Sequence, residues 1–135
     1  MTASVSGESN RAEPGTGRGK FPRSARLLRH ADFERVYKQG RRHFSASLTV
    51  FYLARAEAGL RVGFTVGRAL GGAVDRNRMK RRLREAVRFT RPVSGINADV
   101  VINPKKSLLS TDFQVVVGEV RRAFGVIEAK LGKRV

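Results

Sequence analysis

Residues 76–91, RNRMKRRLREAVRFTR, carry eight basic side chains and a single acid, Glu85, in sixteen positions. At helical spacing Arg76, Lys80, Arg84 and Arg88 fall in one i, i+4 row. Arg78, Arg81 and Arg82 flank it, and Met79, Leu83, Ala86 and Val87 form the opposite, apolar stripe. Like charges four residues apart cost about 0.2–0.5 kcal/mol each in an isolated helix. A helix face that merely meets water mixes its signs, and this one does not. A row of arginines instead suits phosphates, to which each guanidinium offers a planar, bidentate fork. The spacing fits an RNA backbone or a DNA major groove equally well.

Just upstream, residues 65–74 (TVGRALGGAV) join a strand-like run to this helix through three glycines and Arg68. Open backbone N–H groups beside a helix N-terminus form an anion site, although Gly71-Gly72 serves equally well as a plain turn. The glycines fit neither a GxxxxGK[ST] phosphate loop nor a GxGxxG dinucleotide fingerprint, so a nucleotide-binding enzyme is unsupported. Aromatic residues supply a second kind of chemistry. Phe33 and Tyr37 lie four apart, and Phe51 neighbours Tyr52. Core packing is the default for such residues, but exposed aromatic faces also stack the bases of single strands. Tyr37 is the better candidate for exposure, because its hydroxyl needs water or a partner.

Catalytic groups are scarce. His30 and His43 are the only histidines, cysteine is absent, and the acids are scattered. There is no HxxxH, no carboxylate cluster for two metals and no Ser/His/Asp grouping. Without cysteine there is no disulfide framework, thiolate metal site or thiol nucleophile. The 135 residues suit one domain, and 28 Lys and Arg against 11 Asp and Glu leave a net charge of +17. Such a field attracts polyanions. No apolar run reaches membrane-span length, and the first twenty residues lack the apolar stretch of a secretory signal. A cytoplasmic location is expected, with residues 1–20 a disordered basic tail and residues 21–135 a single domain.

The elements that must position these groups follow from periodicity. Residues 27–39 predict a helix stopped by Gly40. Residues 47–54 and 60–66 predict strands, paired antiparallel across a turn at 57–59. Asp75 is the expected N-cap of a helix reaching about residue 91, ended by Pro92 and Gly95. Residues 99–103 predict a buried strand. A last helix is expected from about Thr111, with Thr111 and Gln114 at capping-box spacing. Its stripe is Leu109, Phe113, Val116, Val120, Phe124, Ile127 and Leu131. The order helix, strand, strand, helix, strand, helix indicates an α+β sandwich.

Several of these pieces together resemble the protein subunit of bacterial ribonuclease P, from about Leu28 to Phe124. The strongest is Arg76-Asn77-Arg78-Met79-Lys80-Arg81-Arg82-Leu83-Arg84-Glu85, similar to that family's RNR helix. Asp32-Phe33, Val36-Tyr37-Lys38 and Gly40 stand before it in order, followed by Leu60-Arg61-Val62-Gly63-Phe64 and Gly71-Gly72-Ala73-Val74. The resemblance implies a two-layer α/β sandwich with a small mixed sheet and a left-handed βαβ crossover, like domain 2 of ribosomal protein S5. It implies a subunit without catalytic residues, bound to a catalytic RNA that removes the 5′ leader of precursor tRNA. Arg68, Arg76, Asn77, Arg78, Lys80, Arg81 and Arg84 would face that RNA. Phe33, Tyr37, Phe51 and Thr65 would line a leader cleft. No cofactor is implied on the protein itself, Mg2+ is required by the holoenzyme, and neither membrane nor small-molecule substrate is involved. The chain departs from the family pattern at Ala69, at Gly72 and at Asn103-Pro104. A second class, a ribosomal-type RNA-assembly protein without a leader cleft, shares the basic helix. A membrane-surface role fits poorly, because the basic helix has a narrow apolar stripe and one aromatic, Phe89.

Overall fold

The computed structural model describes residues 29–90 and 96–131. The expected tail and the helix stop at Pro92 and Gly95 lie outside the described residues. The elements are α1 (His30–Gln39), β1 (Arg41–Phe44), β2 (Leu48–Ala54), β3 (Leu60–Phe64), α2 (Ala73–Thr90), β4 (Ala98–Pro104) and α3 (Phe113–Leu131). Short 3-10 turns at Arg68–Leu70 and Lys106–Ser110 precede α2 and α3.

The four strands form one mixed sheet in the order β1-β2-β4-β3. β2 runs antiparallel to both β1 and β4, and β3 runs parallel to β4. The expected β2–β3 hairpin therefore does not form. β4 lies between those strands, and the chain from Arg55 to Gly59 spans two strand spacings, about 10 Å. The start of β4 is held inside that span, with Arg55 N–H donating to Asn97 O and Ala98 N–H to Gly59 O. The reason lies in β4 itself. Its residues Ala98 to Ile102 are all buried, and a strand apolar on both faces belongs in the middle of a sheet.

β1 has no apolar alternation, so residues 41–44 carry no strand signal in the sequence. It is an edge strand with charged side chains, a common way of protecting an edge. Gly40 makes its entry possible, since a Cβ there would lie 2.5 Å from both Val36 O and Tyr52 O. No larger residue lets the last turn of α1 meet β2 so closely.

Alternation along β4 assigns the helices to faces. Val100 and Ile102 pack with Leu48, Val50, Tyr52 and Val62 beneath Met79, Leu83 and Val87 of α2 and Val116, Val120 and Ile127 of α3. The intervening Val101 packs with Val36, Phe33, Phe51 and Leu53. Thus α1 covers the opposite face, and the expected two-layer sandwich gains a partial third layer. Two caps also differ from expectation. α2 begins at Ala73, leaving Asp75 in its first turn, where a carboxylate suits the helix dipole. Asp112, rather than Thr111, caps α3 by accepting from Gln114 N–H at 3.1 Å. The Thr111 hydroxyl instead donates back to Ser107 O at 2.7 Å.

Candidate nucleic-acid interface

The apolar stripe of α2 fixes what the rest of that helix presents. Met79, Leu83, Ala86 and Val87 are at most 1% exposed, so every basic side chain lies on the flanks or the outer surface. Asn77, Arg78, Arg81 and Arg88 are exposed, while Arg76, Lys80, Arg82 and Arg84 are half-buried. On one flank Arg76 Nε donates to Gly71 O at 3.1 Å, bracing the loop that enters the helix. On the other, Arg82 donates to Thr111 O and lies over the Phe113 ring, 5.6 Å from its centroid. Glu85 is paired with Arg88 at 3.3 Å. Lys80, between Arg76 and Arg84, is held below the ordinary lysine range, first by burial and then by those two guanidinium charges.

The loop before α2 places exposed Arg68 in the turn Arg68–Leu70. Gly71 there adopts φ +142°, and a Cβ would also press on Asp75. Its glycine is a backbone requirement, not merely a flexible turn. Arg68 thus stands in the turn that leads directly into the basic N-terminal half of α2.

On the α1 face, strand registers arrange side chains in rows across the sheet. The first row is Phe44, Thr49, Asn103 and Thr65, the second Arg42, Phe51, Val101 and Gly63, the third Leu53, Asp99 and Arg61. The third row anchors α1. Asp99, 2% exposed, accepts from Arg61 Nε at 2.8 Å and Nη2 at 3.0 Å, and from Arg35 Nη2 at 3.2 Å. Arg35 also donates to Asp32 at 2.8 Å, and Arg55 Nε lies 3.5 Å from Asp99. Both Arg35 and Arg61 are raised above the ordinary arginine value, chiefly by hydrogen bonds to Asp32 and Asp99 respectively. This cluster was not legible as a unit. Its only local sign is a carboxylate opening the apolar run of β4.

With α1 anchored there and covering Val101 of the second row, the face stays partly open as a groove over Thr49, Phe51, Thr65 and Asn103. The Tyr37 hydroxyl is hydrogen-bonded to Thr65 Oγ1 at 2.8 Å and to Asn103 Oδ1 at 3.1 Å. Its ring meets Phe51 edge-on at 4.8 Å. Phe33 joins the small cluster of Val36, Val101, Phe51 and Leu53, so it supports the groove more than it lines it. Tyr37 therefore brings Phe51 and Thr65 together. Asn103, noted in the sequence only as a departure from a pattern, is part of the same constellation.

Among the described residues no three His, Cys, Asp or Glu side chains converge as a metal site. His30 is exposed and sits 3.4 Å from Glu34. The arrangement offers phosphate forks and aromatic faces. Nor is any described helix long and apolar enough to cross a membrane.

A family model for ribonuclease P matches residues 21–128. The chain is 37% identical over 110 residues to the ribonuclease P protein component of Geobacter sp. strain M21, covering 82% of this chain and 94% of that one. It is 40% identical over 85 residues to that of Maridesulfovibrio salexigens, covering 62% and 68%. Among solved structures, the RNase P protein of Thermotoga maritima aligns with a TM-score of 0.65 at 26% identity, covering 77% of this chain and 96% of that one. The Staphylococcus aureus RNase P protein aligns at 0.66 and 22%, covering 76% and 94%. With its fold and more than two-thirds of its length matched, the chain belongs to the ribonuclease P protein-component family, part of an endoribonuclease complex.

Proposed function

We propose that this chain binds the catalytic RNA of ribonuclease P through Arg68, Arg76, Asn77, Arg78, Lys80, Arg81 and Arg84. We further propose that it holds the 5′ leader of precursor tRNA in the groove of Tyr37, Phe51 and Thr65, with Phe33 behind them. The observation that carries this reading is continuity. Thr65, which closes the groove, begins the segment that leads through Arg68 into α2, so a strand leaving the groove meets the basic surface directly. Each base stacked on an aromatic face contributes about 1–3 kcal/mol, enough to favour precursor over product. The chain's part is to bind and orient. The reacting groups and the Mg2+ that cleavage requires belong, in this reading, to the RNA. The family's left-handed β3–α2–β4 crossover, like domain 2 of ribosomal protein S5, and a cytoplasmic location belong to the same proposal.

The test is cleavage of precursor tRNA at low Mg2+ by a bacterial ribonuclease P RNA, with and without this protein. Strong stimulation, with no cleavage by the protein alone, is expected. Tight RNA binding without stimulation would instead indicate an RNA-assembly protein.

A further inference from the structure

We propose that the groove does not end at Phe51 but continues to the sheet edge, where Arg42 and Phe44 of β1 form an outer subsite for one more unpaired nucleotide. The proposal rests on the leader-binding reading and names how far along the strand that binding reaches.

Register places Arg42 opposite Phe51 and Phe44 opposite Thr49, so both side chains share the face that carries Tyr37. The Arg42 guanidinium lies 5.9 Å from the centroid of the Phe51 ring and 5.9 Å from that of Phe44. It therefore bridges the groove aromatic to a second ring at the edge. Phe44 is 64% exposed. From β3 to β1 there are three strand spacings, roughly 14 Å, so a strand crossing the floor passes Thr65, Tyr37, Phe51, Arg42 and Phe44 in turn.

The charge along this track favours RNA. The first two rows contain no acid, and Arg42 stands at the edge. The carboxylates of this face, Asp32 and Asp99, lie toward the third row and are matched by Arg35 and Arg61. The platform is also held in place. Ser45 N–H donates to Leu48 O at 2.9 Å, and Lys105 Nζ donates to Ser45 O at 2.7 Å. Ser47 donates through N–H and hydroxyl to Glu119 at 3.0 and 2.7 Å. A turn tied to Lys105, just past β4, and to α3 presents Phe44 with little ordering left to occur on binding. Because the Thr65 end leads to Arg68 and α2, the Phe44 end takes the nucleotide farthest from the RNA subunit.

The experiment measures affinity of the holoenzyme for precursor tRNAs whose leaders lengthen one nucleotide at a time. The wild type should gain affinity in steps, the last of them vanishing in Phe44→Ala. For the longest leader that variant should bind about 5- to 150-fold more weakly, the range for one lost stacking contact. Short leaders and mature tRNA should bind as before. Phe44→Leu, which keeps apolar bulk without a ring face, should resemble Phe44→Ala, and Phe44→Tyr should restore the step. A length profile identical in wild type and Phe44→Ala would overturn the subsite while leaving the groove intact. Equal weakening for every length, mature tRNA included, would overturn it too, by making Phe44 a contact of the RNA subunit. A wild type indifferent to leader length would instead refute the leader-binding reading itself.

Discussion

Two side chains decide how the groove is built. Asp99 is a buried carboxylate whose charge is met by Arg61 of β3, Arg35 of α1 and Arg55 of the chain between β2 and β3. Removing one partner of a buried ion pair costs more than the pair contributes, because the remaining charge is left uncompensated. The arginines here keep some access to water, so Asp99→Asn should cost about 3 kcal/mol, the low end of that range. Denaturant unfolding would register this as a lower midpoint at unchanged slope, and an unchanged midpoint would remove Asp99 from the anchor. Tyr37 separates two roles. Tyr37→Phe loses only the bonds to Thr65 and Asn103 and should weaken precursor binding by about 0.5–1.5 kcal/mol. Tyr37→Ala loses the ring as well and should cost about 1–3 kcal/mol. Mature tRNA should bind either variant normally, and equal losses for both substrates would argue against a leader contact.

At the scale of elements, α2 combines a buried stripe with a solvent surface of nearly one sign. Lys80 makes that surface sensitive to pH. Burial and the flanking Arg76 and Arg84 disfavour its charged form, so it loses its proton at a lower pH than a free lysine. Its attraction for phosphate is present below that lowered value and lost as pH rises through it. RNA affinity should therefore decline on the alkaline side earlier than ordinary lysines allow. Lys80→Arg should flatten the decline, since arginine stays charged; a binding profile unchanged by that substitution would show that Lys80 makes no phosphate contact. The α1–β1 junction depends on packing alone. Gly40→Ala places a Cβ against two backbone carbonyl oxygens and should destabilise the fold by about 1–3 kcal/mol, as overpacking does. Thermal unfolding would show it as a lower Tm.

For the whole molecule, the excess of 17 positive charges sets the character of binding. If Arg68, Arg76, Arg78, Lys80, Arg81 and Arg84 each neutralise one phosphate, the six contacts give a log–log dependence of affinity on salt with a slope of about −4 to −5. Titrating the RNA subunit across a range of salt concentrations measures that slope directly. A nearly flat dependence would place the contact elsewhere.

The basic surface of α2 was legible from residues 76–91 because both its determinants are local, a 3.6-residue period and the sign of the charges. Phe33, Tyr37, Phe51 and Thr65 could be singled out by residue type and resemblance, but not by who touches whom. Asp99 meets Arg35 across 64 positions and Arg61 across 38, and Tyr37 meets Asn103 across 66. No local pattern encodes such pairings. The order of strands differs from the local pattern for the same reason. A short connection between two strand-like runs suggests a hairpin, and only the need to bury both faces of β4 places that strand between them. β1 escaped notice because an edge strand paired on one side needs no apolar alternation. The amino-acid sequence by itself determined the helix periods, the unrelieved positive face and the kind of partner such a face attracts. The tertiary structure alone decided which face of the sheet α1 covers, and so where a groove is left open, because that choice is made by contacts between residues far apart in the chain.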